Sequence, residues 1–188
     1  MNFHFDIDKS IAATAYLLKK NGGSEDIIFL VKMLYDANRE SLLQFGRSIT
    51  GDSFFSMEHG PVVSQTYAFL NGTPRASRSV VEKWSHFISP RSGNTVKIVE
   101  GSKPEIGYLS KREIDLLDIS FAKVKAVKGT LSDWAHRVFP EWEKVPANTS
   151  KPLPAERIFE KQNVHPAEIS SISDEIGNLT WLKMALAK

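Results

Sequence analysis

Cysteine is absent from the 188 residues. That removes disulfide scaffolds, thiol nucleophiles and every zinc site with a cysteine ligand, and it fits a reducing compartment. Long apolar runs are absent too: no stretch approaches the roughly 20 apolar residues that span a bilayer. The opening residues, Met1 through Asp6, show neither a basic n-region nor an apolar h-region, so the expectation is a cytoplasmic protein without a secretory signal or membrane partner. Net charge is low, with 24 Lys and Arg against 22 Asp and Glu. Hydrophobic residues make up 41% and charged residues 24%. This is the composition of a globular chain rather than a disordered one, of a length that suits one domain with an appended segment.

Signatures of catalysis are also missing. There is no GxSxG, no phosphate-cradling GxxxxGK[ST] and no GxGxxG. His4, His59, His86, His136 and His165 form no HxH, HxxxH or HExxH pair, so no metal site built from one helix is expected. The acid pairs Glu25-Asp26 and Asp174-Glu175 lie where helix-end charges are favourable. No catalytic residue, metal or cofactor is therefore expected. The enzyme class that stays open is a metal-dependent hydrolase assembled from dispersed histidines and acids.

Low net charge conceals a regional imbalance. Residues 73–128 hold 11 basic and 6 acidic side chains, whereas 1–72 hold 6 and 8 and 129–188 hold 7 and 8. A basic middle third suits either a solvated lysine-rich face or a nucleic-acid contact. Arg78, Lys83, Trp84, Arg91 and Lys97 form its best cluster of basic and aromatic residues, but Val80, Val81, Trp84 and Phe87 share a helical stripe that places Trp84 in the core.

What the chain does have is helical periodicity. Ile11, Ala12, Ala15 and Leu18 predict a helix capped by Asp8 and ended by Asn21-Gly22-Gly23. Ser24-Glu25-Asp26 opens a second, carrying Ile27, Leu30, Val31, Leu34, Ala37, Leu42 and Phe45 to Gly46. This is the longest element and the expected core helix. Residues 47–61 read as a partly buried loop, and Pro61 suits the first position of the next helix. A further helix ends at Ser89-Pro90. Alternation over 95–109 predicts a β-hairpin with a long loop. Ser110-Lys111-Arg112-Glu113 is a capping box, and a short helix follows from Thr130 to Phe139. Pro140, Pro146, Pro152 and Pro154 mark a candidate linker. The expected architecture is mainly α (α+β): a compact helical domain at 1–145 with one small β-hairpin, and a C-terminal extension at 146–188 with short helices.

One stretch carries a family pattern. Lys32-Met33-Leu34-Tyr35-Asp36-Ala37-Asn38-Arg39 and Gly46-Arg47-Ser48-Ile49-Thr50-Gly51-Asp52, followed by Gly60-Pro61-Val62, resemble the Panacea domain of SocA-like antitoxins and phage-associated proteins. The family reads K-L-L-Y-x-A-D-R, then Y-G-R-P-I-T-G-D and G-P-V. This chain departs from it at Asn38, Phe45 and Ser48. Downstream, Leu131-Ser132-Asp133-Trp134-Ala135-His136 resembles the family's second half more loosely.

The resemblance implies an antitoxin that neutralises a co-encoded toxin by stoichiometric protein–protein binding and not by turnover. Tyr35, Arg39, Arg47, Thr50, Asp52 and His59 are the candidate partner-binding residues. Read from the residues alone, the same motif is a folded-loop signature, with Arg39 or Arg47 paired to Asp52 and glycines at 46, 51 and 60 folding the loop back. The alternative function is a nucleic-acid-binding regulator using 73–128. The segment after Pro154, with Trp181, Leu182 and Leu186, is a candidate element for partner binding or for a homo-oligomer.

Overall fold

The computed structural model describes residue 1 and residues 3–186. Helix α1 (Ile7–Lys20) is capped by Asp6, whose carboxylate accepts the Lys9 N–H at 3.0 Å. The expected cap, Asp8, instead lies in the first turn and pairs with Lys83 on α4 (Arg78–Phe87) at 2.5 Å. Residues Ser24–Asp26 do not begin the second helix. They form strand β1, and α2 (Ile27–Phe45) starts one residue later, with Asp26 accepting the Ile28 N–H at 2.9 Å.

Helix α2 is the axis of the molecule. Its apolar stripe is buried as its period predicts, but Lys32, Asp36, Asn38, Arg39 and Ser41 are buried as well. Such all-round burial means neighbours on every side. Helix α5 (Lys111–Lys125) packs along one flank, where Ser120 donates to Asp36 at 2.7 Å. A small sheet with α6 (Leu131–Val138) and α7 (Ala155–Glu160) closes the others. The capping box of α5 forms as its sequence predicts, with Ser110 Oγ and the Glu113 carboxylate each accepting the other's backbone N–H.

The chain is mainly α with a little β, but the hairpin is not at 95–109. Thr95–Lys97 is β4, and it pairs antiparallel with β1 in the register Glu25↔Val96. Ile106–Tyr108 is a 3-10 turn. Apolar alternation there corresponds to one strand, whose partner is β1 and not the second half of the stretch. The tight hairpin lies instead at β2 (Phe54–Met57) and β3 (Gly60–Val63), inside the stretch expected to be loop. Its connection, Glu58-His59, lacks the Asn-Gly or Asp-Gly chemistry that announces such turns. Pro61 is accordingly a strand residue on an edge, where its missing N–H is tolerated, and α3 (Ser64–Leu70) starts after it.

The proline-rich stretch is not a free tether. Ser150–Leu153 forms β5 and completes the sheet in the order β3-β2-β5, with Phe55 opposite Pro152. Leu153, Ala155, Ile158 and Phe159 then enter the core. Helix α8 (Pro166–Leu186) follows and is longer than the short pieces expected there. It buries Ile169 and Ile176 and leaves Leu179, Trp181, Leu182 and Leu186 exposed. No helix among the described residues is long and apolar enough to cross a membrane.

Candidate functional site

The motif on α2 and the loop after it build a buried polar network. Its centre is Glu141, a fully buried carboxylate. It accepts the Tyr35 hydroxyl at 2.8 Å and Arg39 Nε at 2.8 Å. Arg39 also reaches Glu40 through Nη1 at 2.9 Å. Burial pushes the Tyr35 phenol well up from its ordinary value, and the neighbouring Glu141 charge adds to this. Burial works against the charge of Arg39, but the hydrogen bond and charge of Glu141 outweigh it and hold the guanidinium above its usual value. Tyr35 is wedged edge-on against Phe54 and Phe139, with centroids at 5.6 and 4.9 Å, so its hydroxyl has one direction in which to point.

The loop is held by two further residues. Asn38 Oδ1 accepts Ser48 Oγ at 2.7 Å, Thr50 N at 2.9 Å and Thr50 Oγ1 at 3.0 Å. An amide at this position supplies an acceptor without a buried charge, although Asn38 departs from the family's acid. Asp52 accepts Gln65 N, Thr66 N and Thr66 Oγ1, each at 2.8 Å, and so holds the first turn of α3. Burial raises the Asp52 carboxyl, and these hydrogen bonds oppose that rise. Between them Gly51, at φ +62°, lies so close to the N-terminal segment that a Cβ would sit 2.1 Å from the His4 carbonyl oxygen.

The pairing of Arg39 or Arg47 with Asp52 does not form. Arg39 pairs with Glu141 instead, and Asp52 is occupied by the Gln65 and Thr66 N–H groups and the Thr66 hydroxyl. Of the six candidate residues, Tyr35, Arg39, Thr50 and Asp52 are buried and hydrogen-bonded inside the domain. Arg47 and His59 are exposed, in different places. Arg47 borders a cleft with Phe45, Arg112 and Leu179; His59 stands at the tip of the β2–β3 hairpin.

That hairpin covers a second cleft of about 450 Å³. At its base is Lys32, only 2% exposed, donating to the Pro61 carbonyl at 3.0 Å. Burial alone pulls its amine down to about 7. The tip is pinned from outside. His136 Nε2 lies 3.0 Å from the Glu58 carbonyl, its ring stacks on Trp142 at 3.6 Å, and Trp142 Nε1 donates to the Met57 carbonyl at 2.9 Å. Burial lowers His136 from its ordinary value against the pull of the Glu58 carbonyl, and the nearby Lys32 lowers it further.

One important position has no sequence signal, and another has a signal that does not reveal its burial. Glu141 sits in a proline-rich stretch far from the motif, and nothing local marks it as buried. Lys32 belongs to the motif, but its place in the pattern does not reveal that it is buried. In the basic middle third, Trp84 is in the core, stacked on Phe69 at 5.0 Å. Lys83, Lys123, Lys125 and Arg78 are ion-paired with Asp8, Asp36, Glu25 and Glu82 respectively. Among the described residues no cluster of three or more histidines and acids could hold a metal ion.

Fold and site define a mainly α domain organised by one buried polar network, with a pinned hairpin at its surface. Residues 30–143 match the family described as antitoxin SocA-like, Panacea domain. That span covers more than half of the chain and includes every member of the Tyr35–Arg39–Glu141 network, and the chain belongs to that family. No curated protein and no solved structure matches it.

Proposed function

We propose that this chain is an antitoxin that neutralises a co-encoded toxin by direct protein–protein binding, without catalysis. The observation that carries this reading is the family match over 30–143. The chemistry of the motif agrees with it. Its most distinctive polar groups are saturated by partners within the domain, which is the arrangement of a rigid scaffold rather than of groups poised for turnover. Arg47 and His59 are the members of the candidate set available to touch a partner. Tyr35, Arg39, Thr50 and Asp52 act from behind that surface by fixing the loop and hairpin.

Co-expression with the product of the adjacent gene tests the reading. A product toxic alone and harmless beside this chain, with the two copurifying, is the expected result. A product harmless alone, or still toxic beside this chain, overturns it. Arg47→Glu and His59→Asp are expected to weaken neutralisation while leaving the circular dichroism spectrum unchanged.

A further inference from the structure

Among the described residues Lys32 is the one buried lysine, and its partners are incomplete. Its only hydrogen bond among the described residues runs to the Pro61 carbonyl. No carboxylate among the described residues pairs with it, although Asp36 and Glu25 each have a lysine partner. An ammonium without a counter-ion is costly to bury. The cause of its position is also visible: Gly60, at φ +101°, brings the hairpin so close that a Cβ there would lie 2.9 Å from Lys32 Nζ and 2.8 Å from Ala135 Cβ. The backbone of the hairpin thus presses onto the amine while the cleft of about 450 Å³ stays open beside it.

The acids around this cleft are engaged. Asp26 caps α2, and Glu58 Oε2 accepts the Asn148 N–H at 3.4 Å. Arg91 donates to the Gly93 carbonyl and to Asn71. Of the remaining titratable groups facing the lysine, His59 and Tyr67 line the cleft and His136 approaches from α6. None of them is a carboxylate.

We propose that the Lys32 cleft is a binding site for a single carboxylate group, which enters beside the hairpin and supplies the counter-ion the buried lysine lacks. The carboxylate comes either from a small free acid or from an acidic side chain of a bound protein. Binding is coupled to proton uptake, because the anion favours the ammonium form. It therefore tightens as pH falls from the alkaline side toward neutrality. The inference is independent of the antitoxin reading, since it is tested on this chain alone.

The test is carbon-13 NMR of the lysine ε-methylene groups, with benzoate, acetyl-aspartyl amide and acetyl-asparaginyl amide as probes. The expected result is that benzoate or the aspartyl probe moves the Lys32 resonance and raises its titration midpoint above about 7, while the asparaginyl probe does neither. A response to benzoate alone assigns a small acid; a response to the aspartyl probe assigns a protein side chain. Lys32→Met should abolish saturable binding of the same probe measured by calorimetry. Asn94→Trp, an exposed substitution at the mouth, should block it in a chain that keeps the lysine. A Lys32 resonance unmoved by either acid, or probe binding that survives both variants, overturns the proposal.

Discussion

Arg39 and Glu141 stand 102 residues apart in the chain and meet as a buried ion pair, Nε to Oε1 at 2.8 Å. The pair joins the middle of α2 to the stretch between α6 and β5, and it brings Tyr35 into the same junction. Removing one partner leaves the other charge buried, which is costlier than removing both. Glu141→Leu is therefore expected to lower the unfolding free energy by about 3 kcal/mol, near the low end for such pairs because Glu40 still holds Nη1. Arg39→Met in the same chain should recover most of that loss. Urea denaturation of the two single variants and the double variant measures both effects.

Lys32 makes stability depend on pH in a specific window. Its folded value of about 7 lies below its ordinary 10.5, so between those limits the unfolded chain binds more protons than the native one. Stability then rises with pH across that window, and the penalty of burying the amine is complete below it. Relative to Lys32→Met, the wild type should gain on the order of a few kcal/mol between the two ends. Denaturation midpoints of both proteins across that range give the difference. A constant gap would contradict it.

Gly51 has no tolerance for a side chain. Gly51→Ala puts a Cβ against the His4 carbonyl and an alanine at positive φ. The expected cost is at least about 1–3 kcal/mol, seen as a lowered Tm.

Asp52 connects the loop to α3. Asp52→Ala leaves the N–H groups of Gln65 and Thr66 without their acceptor, at a cost of about 1–3 kcal/mol. Hydrogen exchange should show the amides at residues 65 and 66 losing protection.

Trp181 is 70% exposed on α8. Trp181→Ala should alter stability by no more than about 0.5 kcal/mol. Sedimentation of the same variant shows whether this apolar end takes part in self-association.

Where local rules govern, the sequence predicts the structure well. The Ser110–Glu113 box, the stripe of α2 and the burial of Trp84 depend on spacing within a turn or two. The β structure depends on distant partners and was less legible. Ser24-Glu25-Asp26 carries helix-capping chemistry, yet only Asp26 caps and the three residues form β1. β2 and β3 were hidden by a turn without its usual residues, and β5 by prolines that an edge strand tolerates. The site divides the same way. Tyr35, Arg39, Thr50 and Asp52 stand out in the motif, but their roles depend on Glu141, Asn38 and Thr66. Glu141 in particular lies where no short-range pattern reaches.

The placement of β5 beside β2 bears on how the protein is born. The strand nearest the centre of the sheet is made early, and its last neighbour, Ser150–Leu153, emerges almost a hundred residues later. Glu141 also arrives late. A growing chain thus carries Arg39 without its carboxylate and β2 with an open edge until most of the polypeptide has left the ribosome. Closure of so large a loop is slow compared with local helix formation. During synthesis, α1 to α6 and the β2–β3 pair precede the strand that completes the sheet, and α7 and α8 follow it.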